Sequence, residues 1–191
     1  MPEPGGEDAA AQPQAAGRGT GRDPWLRFAL TFGALALLSE VVYYGLALES
    51  GPFQRYLELL AHISAAILTP FTDGINVRGT LISGSLFSVE IARGCDAYRI
   101  CALLAAAMLA FPATWREKGI GLVLGLLVLN LMNFVRICGL YFIGGLYYPE
   151  FHRAHTIYFP TFLIAVTVAV WIVWVRWVTR DYAFDAEPAR A

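Results

Sequence analysis

From Thr156 to Val175 no residue carries a charge, and Arg176 and Arg180 close the run. A stretch of about 20 apolar residues matches the hydrocarbon thickness of a bilayer. Backbone placed there must satisfy its own hydrogen bonds, so the segment is expected as a membrane helix. Three more stretches repeat the pattern: Trp25 to about Leu48, Ala97 to about Trp115, and Gly119 to about Leu146. The chain as a whole is 57% apolar and 15% charged, with a net charge of −1, and its mean hydropathy is +0.54. Soluble domains carry roughly 25% charged residues. This balance excludes a disordered chain, a soluble domain and a basic nucleic-acid binder. The three cysteines contain no CxxC, so neither a disulfide framework nor a zinc-ribbon spacing is present.

The remaining segments divide the chain. Residues 1–23 are Gly, Pro, Ala and Gln without apolar periodicity and read as a disordered cytoplasmic tail. Residues 24–178 form the integral membrane domain, and 179–191 a second cytoplasmic tail. Glu40 lies inside the first span, where an unpartnered carboxylate costs about 3 kcal/mol, so it is expected to face protein. In 53–71, Tyr56, Leu59, Leu60, Ile63, Ile67 and Leu68 recur at helical spacing while Arg55, Glu58 and His62 fall on another face. That pattern predicts an amphipathic helix lying in the interface or re-entering it. Between 74 and 92, Phe87, Val89 and Ile91 alternate with Ser88 and Glu90 after a Gly-Thr turn, as in a small hairpin. The expected fold is an all-α polytopic membrane protein of about four transmembrane helices, with that amphipathic helix and a small extracytoplasmic β-hairpin. Arg18, Arg22, Arg27, Arg116, Lys118, Arg176 and Arg180 then share the cytoplasmic side, as positive-inside orientation requires.

Depth groups the reactive side chains. Cys95 and His155 each precede a span at its outer end. From Lys118 to Arg136 about 18 residues carry the chain roughly 27 Å, which puts Arg136 near the same boundary. A thiolate is a nucleophile whose formation a nearby cation favours. Histidine exchanges protons near neutral pH, and arginine offers two parallel donors to an oxyanion. Together they describe a thiol acyl transferase or peptidase. Plainer readings stand beside this one. Cys95 can be a packing residue, as Cys101 and Cys138 are expected to be. Arg136 can snorkel to headgroups, and His155 can be an interfacial anchor like His152. Asn133, one turn before Arg136 on the same face, points to an inward site rather than lipid.

The spelling of these segments resembles the exosortase/archaeosortase family. The matching residues are Arg93-Gly94-Cys95-Asp96-Ala97, the run Ala105 to Pro112 followed by Trp115-Arg116, Asn133-Phe134-Val135-Arg136-Ile137, and Ala154-His155. The resemblance covers roughly residues 50–178. Leu109-Ala110-Phe111-Pro112 before Trp115-Arg116 looks most like the exosortase H type. The resemblance implies a multi-pass cysteine transpeptidase of the bacterial cytoplasmic membrane, with its active site on the extracytoplasmic side. Its partners would be the bilayer and proteins whose C-terminal sorting signal has a short motif, a hydrophobic helix and a basic tail. By position it makes Cys95 the nucleophile, Arg136 the arginine of an Asn-x-x-Arg motif and His155 the histidine opening the last helix, with Asn133, Asp96 and Arg99 in support. It implies no cofactor and no metal. Many members carry Ser-Gly or Asn-Gly after the cysteine, where this chain has Asp96-Ala97. A carboxylate there opposes thiolate formation unless it pairs with Arg93 or Arg99.

Two other functions compete. In a metal-dependent membrane protease, His152 and His155 with Cys95 or Asp96 would be ligands, although no HExxH is present and His152 sits in a loop-like Pro-Glu-Phe-His context. In a non-enzymatic scaffold or transport component, Glu40, Asn130, Asn133 and Arg136 would line a polar path.

Overall fold

A computed structural model describes residues 24–47, 51–92 and 94–184. Helix α1 (Pro24–Val42) continues into a π-helical turn, Tyr43–Ala47, and α2 spans Gly51–Leu68. Three short strands follow, β1 (Asn76–Arg78), β2 (Leu81–Ser83) and β3 (Ser88–Glu90), and then α3 (Tyr98–Ala110) and α4 (Trp115–Leu146). Helix α5 (Tyr148–Arg153), a π-helical turn Ala154–Tyr158 and α6 (Phe159–Phe184) complete the order. The tail expected over 1–23, Arg93, and residues 185–191 lie outside the described residues.

Three helical stretches are long and apolar enough to cross a membrane: Pro24–Gly45, Trp115–Leu146 and Tyr148–Arg180. The stretch expected to span from Ala97 to Trp115 forms only the short helix α3. Its 13 residues rise about 20 Å, short of a bilayer's ~30 Å. Pro112 is the reason, because it drives the preceding residue out of the α region. Phe111 accordingly sits at φ −70°, ψ 140°. The chain restarts at once, since Thr114 caps α4 and the Glu117 side chain accepts the Thr114 backbone N–H in return. Arg116-Glu117-Lys118 therefore lies in the first turn of α4, and Thr114-x-x-Glu117 is the signal for that start.

The four apolar helices share two levels. At one, Phe28 of α1 meets Phe111 edge-on, Phe111 meets Trp174 of α6, and the Trp174 indole N–H donates to the Glu117 carbonyl. At the other, Tyr43, the Cys95 turn and Arg136 come together. Small residues on α4 permit close packing, as is common between membrane helices. A Cβ on Gly121 would fall 2.2 Å from the Trp174 indole, and one on Gly144 would fall 2.4 Å from the Phe87 ring.

A cap covers the second level. The hairpin expected over 74–92 is a three-stranded antiparallel meander, because Leu81–Ser83 follows the Gly-Thr turn and pairs with both β1 and β3. Val77 stands opposite Ile82, and Ile82 opposite Val89. Gly79, at φ 60°, supplies the left-handed conformation that the two-residue turn between β1 and β2 needs. The amphipathic helix is α2, and it packs on α4, β1 and β2. It buries Leu57, Leu60, Ala61, Ser64, Ala65 and Leu68 and leaves Leu59, Ile63 and Ile67 exposed. The single apolar face read from 53–71 is thus two faces, one against protein and one outward. His152 lies in helix α5, which Pro149 starts, rather than in a loop. Helix α6 runs on to Phe184 because neither Gly nor Pro interrupts the chain between Pro160 and Pro188.

Gly121 gives a direct check on this packing. Gly121→Ala is expected to destabilise the detergent-solubilised protein by about 1–3 kcal/mol. Gly33→Ala, with open space around its would-be Cβ, should be neutral or stabilising. The comparison is the unfolding midpoint of the two variants against the parent chain.

Candidate active site

Between β3 and α3 the chain makes a tight turn that carries Cys95. Gly94 adopts φ 88°, and Ala97, at φ 56° and ψ 5°, is the one non-glycine residue with positive φ among those described. A left-handed alanine costs about 1–2 kcal/mol. Such a conformation persists only where the surroundings over-determine it. The Cys95 N–H donates to the Ala92 carbonyl at 3.0 Å. Cys95 is 6% exposed and packs in the cap core with Ile137 and Tyr141.

Helix α4 reaches the turn with two polar side chains. Gly121, Gly125, Leu129, Asn133, Arg136 and Ile137 follow one another along its buried face. Asn133, fully buried, donates from Nδ2 to the Cys95 carbonyl at 2.9 Å. Arg136, 6% exposed, donates to the Gly94 carbonyl at 3.1 Å and directs its other terminal nitrogen at Cys95 Sγ, 3.9 Å away. Arg136 Nε and Asn133 Oδ1 are buried without a hydrogen-bond partner among the described residues. Arg136 does not snorkel to the surface; its charge ends on the cysteine turn.

Asp96 is 1% exposed, and both carboxylate oxygens accept hydrogen bonds. The Tyr43 hydroxyl donates to Oδ2 at 2.6 Å and the Tyr98 backbone N–H to Oδ1 at 3.0 Å. The pairing expected with Arg99 does not form. Arg99 instead bridges to Glu40 at 3.3 Å and contacts the Tyr44 hydroxyl. Glu40, the carboxylate inside the first span, thus has its partner in Arg99. Burial pushes the Cys95 thiol above the ordinary cysteine range, the Arg136 charge offsets part of this, and Asp96 pushes it further up. Burial and Asp96 thus oppose the thiolate that the nearby arginine favours.

His155 stands in the π-helical turn before α6 and stacks on Phe151, ring centroids 6.1 Å apart. The Arg136 and His152 charges act on it. Among the described residues it makes no hydrogen bond to Cys95 or Arg136. Cys101 and Cys138 contact Asn130 and the Ser64 carbonyl respectively. No group of three His, Cys, Asp or Glu side chains among the described residues could hold a metal ion. A cavity of about 180 Å³ borders the turn, lined by Gly94, Asp96, Ala97 and Arg136 on one side and by Pro160, Leu163 and Ile164 of α6 among others. Tyr43, distant in sequence, carries no signal in the chain that would have placed it here.

A buried cysteine thus lies against an arginine and an asparagine from one membrane helix. Residues 15–172 match the family described as transmembrane exosortase. The chain belongs to the exosortase family. No curated protein and no solved structure matches it. Exosortase membership and three membrane-length helices make it a multi-pass membrane protein, and the family implies a membrane transpeptidase in general.

The raised Cys95 thiol sets this exosortase's reactivity toward a small alkylating agent. With Cys101 and Cys138 replaced by Ala, iodoacetamide labelling of Cys95 should still be accelerating at about pH 9. A plateau below about pH 8 would show instead a thiolate already formed at neutral pH.

Proposed function

We propose that this exosortase is a cysteine transpeptidase that cleaves proteins bearing a C-terminal sorting signal, at the outer face of the bacterial cytoplasmic membrane, through a thioester on Cys95. The observation that carries the reading is the Arg136 guanidinium aimed at Cys95 Sγ from inside the protein. The Leu109-to-Pro112 and Trp115-Arg116 spelling favours the exosortase H type. Four passes fit the two levels that α1, α3, α4 and α6 share, with α3 crossing as the short one. Arg116, Lys118, Arg176 and Arg180 lie toward the Phe28–Trp174 level, so the positive-inside tendency turns the Cys95 level outward.

The reaction follows from the residues. The substrate's membrane helix docks among the spans and brings a backbone carbonyl to Cys95. His155 takes the thiol proton, and the sulfur attacks the carbonyl carbon. Arg136 holds the developing oxyanion, and its partnerless Nε is a donor kept buried for that purpose. The C–N bond breaks as His155 returns the proton to the leaving amine. The thioester passes to an acceptor nucleophile or to water, and Cys95 is regenerated. Asn133 fixes the Cys95 carbonyl and thereby the direction of the thiol.

Arg136→Lys separates this role from simple charge. Lysine keeps the charge but offers a mobile point donor in place of a planar fork. Loss of one oxyanion donor costs about 10²–10³ in rate. Arg136→Lys is expected to accumulate normally in membranes yet cleave a co-expressed sorting-signal protein at least about tenfold more slowly. Cleavage at the parent rate would remove Arg136 from the site, and full cleavage by Cys95→Ala would end the cysteine reading.

A further inference from the structure

The turn that carries Cys95 is also held by α1, a helix that contributes none of the candidate catalytic groups. Tyr43 is buried at the π-helical end of α1, whose preceding helical segment, Pro24–Val42, buries none of its residues. Its hydroxyl reaches the Asp96 carboxylate, and its ring stacks on Tyr98, the first residue of α3, at a centroid distance of 4.8 Å. The Tyr98 hydroxyl returns to the Ser39 carbonyl of α1. From α2, the Tyr56 hydroxyl donates to the Asp96 backbone carbonyl at 3.0 Å. Every polar group of Asp96 named so far is therefore occupied, and the left-handed Ala97 follows it directly. A π-helical turn shifts the side-chain register of a helix by one residue and is often found at functional sites.

We infer that Tyr43 and Asp96 form a positioning pair, through which the first membrane helix holds the Cys95 turn in its strained shape and keeps the thiol directed at Arg136. The assignment builds on Cys95 as the nucleophile, but its geometry stands without any substrate. Removing the Tyr43 hydroxyl leaves a buried carboxylate oxygen without its donor, and the turn relaxes toward unstrained backbone. Asparagine at 96 keeps an acceptor for the Tyr98 N–H and presents an amide to the Tyr43 hydroxyl, so it preserves the clamp while deleting the charge. Alanine at 96 deletes both.

Titratable and charged groups around Tyr43 and Asp96 are Glu40, Tyr56, Tyr98, Arg99, Cys101 and Arg136, with Cys95 itself. Charge and clamp are thus separable by substitution. Without the Asp96 charge the thiolate forms more readily, and without the clamp the thiol becomes more accessible.

The test uses the full chain in native membranes, with Cys101 and Cys138 replaced by Ala and iodoacetamide as the probe of Cys95. Tyr43→Phe and Asp96→Ala should each raise the alkylation rate at a fixed pH at least about threefold, because the buried thiol is released. Asp96→Asn should keep the slow, protected reaction but move its pH profile toward lower pH by at least about half a unit. Parent-like alkylation in Tyr43→Phe would overturn the proposal. So would identical behaviour of Asp96→Asn and Asp96→Ala, whose comparison decides the matter if Tyr43→Phe fails to accumulate. Alkylation needs no substrate, so these outcomes leave the sorting-signal reading to its own cleavage test.

Discussion

A guanidinium buried within an apolar helix bundle has to be met by acceptors, and in this protein the turn before α3 supplies them. Desolvating an arginine costs several kcal/mol unless its donors are satisfied. The Gly94 carbonyl and Cys95 sulfur stand where Arg136 ends, and Asn133 adds a second tie from the same helix face. Much of the upper architecture serves this junction. The meander and α2 seal it from one side, with Ile82 and Leu68 among the most buried side chains. Tyr43 of α1 and Tyr56 of α2 hold Asp96, the residue after the cysteine.

The electrostatics of the junction run in opposed directions. Arg136 favours a thiolate, whereas burial and Asp96 favour the thiol, and burial is the largest of the three. A protected thiol resists oxidation and alkylation, since reactivity follows thiolate character and access. In the proposed mechanism the proton leaves only when a substrate carbonyl is in place. Two buried polar atoms, Arg136 Nε and Asn133 Oδ1, have no hydrogen-bond partner among the described residues. An orphaned polar atom in a dry core is costly, and a substrate backbone has the complementary donor and acceptor.

Much of this was legible in the chain, for identifiable reasons. The apolar stretches beginning at Trp25, Gly119 and Thr156 are long, so their helices could be read directly, and depth along α4 carried Arg136 to the level of Cys95. Short-range signals went unread. Thr114-x-x-Glu117 marks the start of α4, and Pro112 cuts α3 to about two-thirds of a membrane's thickness. The middle strand was missed because Leu81–Ser83 is only three residues long and carries no alternation of its own, although it pairs with both neighbours. Long-range polar pairing left no trace at all. Nothing in the spacing says that Asp96 meets Tyr43 and that Arg99 meets Glu40, because such partners are chosen by how helices pack. His155 shows the limit of depth alone: it shares the Arg136 field but not a hydrogen bond with the cysteine.

The central claim is that Cys95 carries the acyl group. Intact-mass and peptide spectrometry of the protein purified from cells co-expressing a sorting-signal substrate measures that directly. The expected result is the N-terminal part of the cleaved substrate attached to Cys95 through a hydroxylamine-labile bond, accumulating when acceptor is limiting. Cleaved substrate with the adduct on another residue, or complete turnover by Cys95→Ser, would contradict the account.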